Sequence, residues 1–117
     1  MYTIWKVGDK EYRLRLTTQA TVLFEKQMKV GMTAVLDHVA DVSVIVGLIW
    51  AAMQQYNHGI SLQDVFTLYD TFIADGGTVA DIIPIEQDLL AQMGYCEGRD
   101  TKNAESQKAL PGSPTID

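Results

Sequence analysis

The stretch Val42–Met53, VSVIVGLIWAAM, is interrupted only by Ser43 and Gly47 and holds no ionisable side chain. A helix over 42–56 puts Val42, Ile45, Ile49, Met53 and Tyr56 on one stripe while Val44, Leu48, Ala51 and Ala52 extend a second, so it is apolar nearly all round. The run is too short to cross a bilayer, which takes about 20 apolar residues. In a chain of 117 residues such a helix has two physical solutions: either other elements sandwich it, or it keeps a face for another chain. Asp41 is placed to N-cap it and Asn57-His58-Gly59 to close it.

The flanking sequence supplies the elements that could cover it. Residues 2–7 and 11–16 read as two β-runs joined by Gly8-Asp9-Lys10; the second alternates, with Tyr12, Leu14 and Leu16 on one face and Glu11, Arg13 and Arg15 on the other. In the first run Ile4 and Trp5 compete for the inner face. Thr17 or Thr18 can cap a helix to about Lys29 with Ala20, Leu23, Phe24 and Met28 on one stripe and Gly31 just past its end. A short helix over 33–39 directs Val35, Leu36 and Val39 to the core. Ser61 with Asp64, and Thr78 with Asp81, open two more helices by a capping-box device in which Asp replaces the usual Glu or Gln. Leu62, Val65, Phe66, Tyr69, Phe72 and Ile73 line the first of these, which Gly76-Gly77 stops. Val79, Ile82, Ile83, Leu89, Leu90 and Met93 line the second, and Pro84 inside it predicts a kink or break near Ile83.

The expected fold is mostly α with a short N-terminal β-hairpin (α+β), a small bundle of about four to five helices. One folded domain covers 1–95, with hairpin 2–16 and helical body 18–94. Residues 96–117 turn polar and gain Gly98, Pro111, Gly112 and Pro114, the composition of a disordered tail.

Charge is unevenly spread. No Lys or Arg occurs between Lys29 and Arg99, whereas that interval holds nine acidic residues; residues 1–30 carry +3 and residues 31–94 carry −8. Helices usually mix both signs for i,i+4 support. A negative field repels phosphate backbones and anionic lipid, which disfavours nucleic acid and membrane surfaces and favours a basic or amphipathic polypeptide. The same acidity also serves solubility, and both readings stay open. The start Met1-Tyr2-Thr3-Ile4-Trp5-Lys6 lacks a basic-then-apolar leader, and a lone Cys96 forms no internal disulfide; a reducing cytoplasm is the expected setting.

Nothing in the sequence points to catalysis, a cofactor or a metal. His38 lies between Asp37 and Asp41, His58 precedes a helix-closing glycine, and Cys96 has no predicted helix N-terminus beside it to depress its pKa. The serines lack a nucleophile elbow. Gly76-Gly77 precedes a helix, but Asp75 and Asp81 beside it would repel phosphate. The carboxylates Asp64, Asp70, Asp75, Asp81, Glu86 and Asp88 are too dispersed for a calcium loop and read as a solvated face or as a receptor for a basic partner.

The order of these features resembles the tail assembly chaperones of long-tailed bacteriophages and gene transfer agents. The residues that carry the likeness are the hairpin, Leu23-Phe24-Glu25-Lys26 before Gly31, Leu48-Ile49-Trp50-Ala51-Ala52-Met53, His58-Gly59, Asp75-Gly76-Gly77 and Leu89-Leu90-Ala91-Gln92-Met93-Gly94-Tyr95. It spans roughly residues 2–95 and rests on turn and core signals; Pro84 departs from the smooth final helix it implies. The resemblance implies a noncatalytic cytoplasmic protein of the bacterial host cell that binds the tape measure protein, and through a frameshifted product the tail tube protein, during tail assembly. It also implies homo-oligomers. Val44, Leu48, Ala52, Phe66 and Tyr69 are the expected contact positions. Two other classes fit the composition: an acidic inhibitor that mimics nucleic acid and binds a host enzyme, and a structural virion oligomer.

Overall fold

The computed structural model describes residues 1–97, and the expected disordered tail lies outside the described residues from 98 onward. An N-terminal antiparallel hairpin is followed by five helices. Strands β1 (Thr3–Val7) and β2 (Lys10–Leu14) pair with Thr3 opposite Leu14 and Val7 opposite Lys10. The connection is therefore the two residues Gly8-Asp9, one fewer than the tripeptide expected, and Gly8 takes the positive φ of 61° that a tight hairpin needs. Trp5 settles the competition in β1: it is buried with Val7 and Leu14, while Ile4 is exposed.

Helix α1 (Thr18–Met28) starts from Thr17, whose hydroxyl accepts the Ala20 N–H at 3.1 Å. It ends at Lys29, as expected, although Lys29 and not Gly31 takes the left-handed conformation (φ 60°, ψ 36°). The Glu25 carboxylate reaches seven residues on to accept the Met32 N–H at 2.7 Å, and Gly31 serves as the N-cap of α2 (Met32–Val35). The predicted helix over 33–39 is thus two pieces, α2 and a single 3-10 turn at Leu36–His38. Leu23, expected on the inner stripe of α1, is exposed, and Thr21 is buried in its place with its hydroxyl donating to the Thr17 carbonyl at 2.8 Å.

Helix α3 (Val42–Met53) is buried at every position from Val44 onward. Of its two possible solutions the chain adopts the sandwich, with α1, α4 (Leu62–Ala74), α5 (Val79–Gln92) and β2 packed around it. Gly47 permits the closest approach, since a Cβ there would lie 3.0 Å from Phe24 Cε1 and 3.1 Å from Met28 Sδ. The Arg15 N–H donates to the Ala52 carbonyl at 2.9 Å, so the chain leaving the hairpin satisfies one of the open carbonyls at the end of α3. The helix stops at Met53, three residues before the expected Tyr56. Beyond it, Trp50 Nε1 and Gln54 Nε2 both donate to the Ile60 carbonyl at 3.1 Å and fold the following loop back onto the helix.

Both predicted capping boxes form. In α4 the Ser61 hydroxyl and Asp64 carboxylate exchange backbone hydrogen bonds at 3.0 Å each, and Thr78 with Asp81 does the same for α5. Gly76 (φ 95°) turns the chain out of α4, and a Cβ on Gly77 would overlap the Phe72 ring. The expected break at Ile83 does not occur, and α5 runs unbroken through Pro84. Proline there removes the bond to the carbonyl four residues back and crowds that carbonyl, while the capping box and buried Ile82, Leu89 and Leu90 hold the rest. Gln92 fastens the far end of α5 to the hairpin, accepting from the Leu16 N–H at 2.7 Å and donating to Thr3 Oγ1 at 3.2 Å.

Candidate functional site

Helix α4 shows how the expected contact residues divide. Val65, Tyr69 and Phe72 turn inward, whereas Phe66 and Ile73 remain 42% and 43% exposed. At 3.6 residues per turn, Phe66, Asp70 and Ile73 fall within an arc of about 60°, so two apolar side chains flank one exposed carboxylate on the outer face of α4. Thr67 and Thr71 beside them bond their own helix, the hydroxyls donating to the Gln63 and Thr67 carbonyls at 3.4 and 3.1 Å. Val79, at the start of α5, is exposed as well.

The other four expected positions are core. Val44, Leu48 and Ala52 pack inside the sandwich around α3, and Tyr69 is buried beside Phe72 with ring centroids 5.8 Å apart. The surplus apolar face that motivated both their choice and the expectation of self-association is covered by the chain's own elements. Periodicity had marked all of them as apolar, but it could not tell which stripe neighbours would cover. Phe66 is the one of the five that is exposed to solvent.

The carboxylates also divide by role. Asp64 and Asp81 are occupied by the two capping boxes, and the Ser61 backbone and hydroxyl bonds hold the Asp64 pKa below its ordinary value. Asp41 sits at the N-cap of α3 but makes no capping bond; its carboxylate lies 3.2 Å from His38 Nδ1 on the surface instead. Phosphate mimicry would need carboxylates free along one exposed face, and two of the acids expected to form it are committed to helix starts. Glu86 departs furthest from expectation. Grouped by sequence with the solvated acids, it is 1% exposed, with neither carboxyl oxygen hydrogen-bonded among the described residues. Burial pushes its pKa up to about 8. Its place four residues after Ile82 and three before Leu89, completing an i, i+4, i+7 pattern, is the signal that puts it on the core stripe.

Basic character gathers at the hairpin. The Arg13 guanidinium lies over the Tyr2 ring at 5.1 Å and near the Tyr56 ring at 5.9 Å, which cross edge-on 6.0 Å apart. A groove of about 630 Å³ runs between the start of α1 and the end of α3, lined by Thr17, Gln19, Gln54, Gln55 and His58 among others. Its lining combines amides, hydroxyls and one imidazole with the apolar side chains of Ala20 and Leu23. Among the described residues no cluster of His, Cys, Asp or Glu could hold a metal, and no helix is long and apolar enough to cross a membrane. No protein family, curated protein or solved structure matches the chain.

Proposed function

We propose that this chain is a noncatalytic tail assembly chaperone that holds helical segments of a tape measure protein while the tail tube is built around them. The observation that carries the reading is the outer strip of α4, Phe66-Asp70-Ile73, in a stretch from 30 to 97 that has no Lys or Arg to neutralise it. An amphipathic helix docks by laying apolar anchors against such a strip. A basic residue between its anchors then meets Asp70, and the net negative charge of residues 30–97 speeds encounter and keeps the complex soluble. The strip is one helix wide, which suits transient holding of many successive segments better than one permanent interface. The order of hairpin, helices and glycine turns along 2–95 supports the same reading by resemblance.

Co-expression tests it. The tape measure protein is expected to be insoluble alone and to co-purify in soluble form with this chain. Unchanged solubility with no co-purification would remove the proposal.

A further inference from the structure

We propose that α5 is a proton-gated latch, docked while the Glu86 carboxyl is neutral and released as a unit when that carboxyl ionises. The geometry gives Glu86 neither a hydrogen bond nor a cationic partner among the described residues. On its own helix it sits between buried Ile82, Leu89 and Leu90. Of the elements packed against α5, α3 contributes no ionisable residue along its whole length. β1 contributes buried Trp5, whose Nε1 has no hydrogen-bond partner among the described residues, while its Lys6 is exposed to solvent on the alternate face. Half-buried Tyr12 of β2 packs beside the Trp5 ring, with centroids 6.2 Å apart. From α4 comes Tyr69, its hydroxyl likewise unpartnered, with a pKa raised first by burial and then by the nearby Glu86. A carboxylate formed in these surroundings would be a buried, unpaired charge.

An apolar side chain of similar length would fill the position without that penalty, so packing does not explain an acid here. The construction of α5 suits release as one piece. It hangs from Asp75-Gly76-Gly77, with Gly76 in the left-handed region, and Pro84 already removes one helical bond two residues before Glu86. The described contacts of its far end with the hairpin include the two hydrogen bonds of Gln92. Opening lets Glu86 give its proton to water and leaves α1 and α3 paired through Gly47. The latch is independent of the partner strip on α4, and its test uses the chain alone.

The experiment is amide hydrogen exchange on the full chain from pH 5.5 to 8.5, expressed as protection factors that remove the intrinsic pH dependence. The α5 amides are expected to be at least about tenfold less protected than those of α3, because they exchange by a smaller opening. Their protection should fall about tenfold per pH unit up to about pH 8 and then level, since each opening releases one proton. Glu86→Gln is expected to abolish that slope, and Glu86→Met supplies the same comparison where the amide variant fails to fold. Equal protection of α5 and α3 throughout the range would overturn the latch, and so would a slope that survives either substitution. The wild-type profile decides the first point without any variant.

Discussion

Leu48→Ala is expected to cost the fold about 2–5 kcal/mol, which in a domain of this size lowers the thermal midpoint by roughly 10 °C or more. Leu48 is wholly buried at the middle of α3, and that helix is enclosed by α1, α4, α5 and β2. Truncation removes methyl and methine groups from water-free surroundings and leaves a cavity that a helix pinned on every side cannot collapse. A surface contact residue behaves otherwise: Phe66→Ser, on the exposed strip of α4, should shift stability by less than about 1 kcal/mol. Calorimetry on the two variants separates these roles. Near-equal midpoints would mean that α3 is not the core.

The pH dependence of stability is the second large effect, and Glu86 sets its sign. Unfolded, the carboxyl releases its proton near 4.5; folded, burial holds that proton to about pH 8. Between those values unfolding releases a proton, so the stability is fully present below about pH 4.5 and declines as pH rises toward 8. Each pH unit in that window is worth up to about 1.4 kcal/mol. Asp64 acts in the opposite sense and at lower pH: its depressed pKa supports the fold above 3.8 and that support fades as pH falls further. The thermal midpoint should therefore peak at about pH 4–5 and fall toward pH 8. Glu86→Met should flatten that decline and raise the midpoint at pH 8, measured by calorimetry in matched ionic strength. A wild-type midpoint that climbs from pH 5 to pH 8 would contradict the burial of Glu86 as a neutral acid.

The elements set by local chemistry were legible in the sequence. Ser61 with Asp64 and Thr78 with Asp81 fix two helix starts because each box is complete within four residues, and it forms as read. The density of apolar side chains in Val42–Met53 likewise left only burial or a partner as outcomes for α3. What the sequence withheld depends on contacts between distant residues. Lys29, not a glycine, takes the left-handed cap, and Glu25 accepts the N–H of Met32 seven residues on. Pro84 is tolerated because the rest of α5 is anchored at a capping box, in the core and at Gln92. The candidate site shows the same limit: one continuous stripe on α4 divides into buried Val65, Tyr69 and Phe72 and exposed Phe66 and Ile73, a division set by where α3 and β1 lie. Glu86 is buried although its residue type points to solvent, and its position on the Ile82–Leu89 stripe is the legible sign of that.

In the proposed function the outer strip of α4 is the surface that holds a tape measure helix. The measurement that tests it most directly is the dissociation constant for a purified tape measure segment, wild type against the double variant Phe66→Ser/Ile73→Ser, at low and high salt. Both substitutions fall on exposed positions, so circular dichroism should show the fold intact. Losing two apolar anchors should weaken binding by about tenfold or more, and raising the salt should weaken the wild-type complex as the acidic field is screened. An affinity unchanged by the double variant would contradict the assignment of this surface.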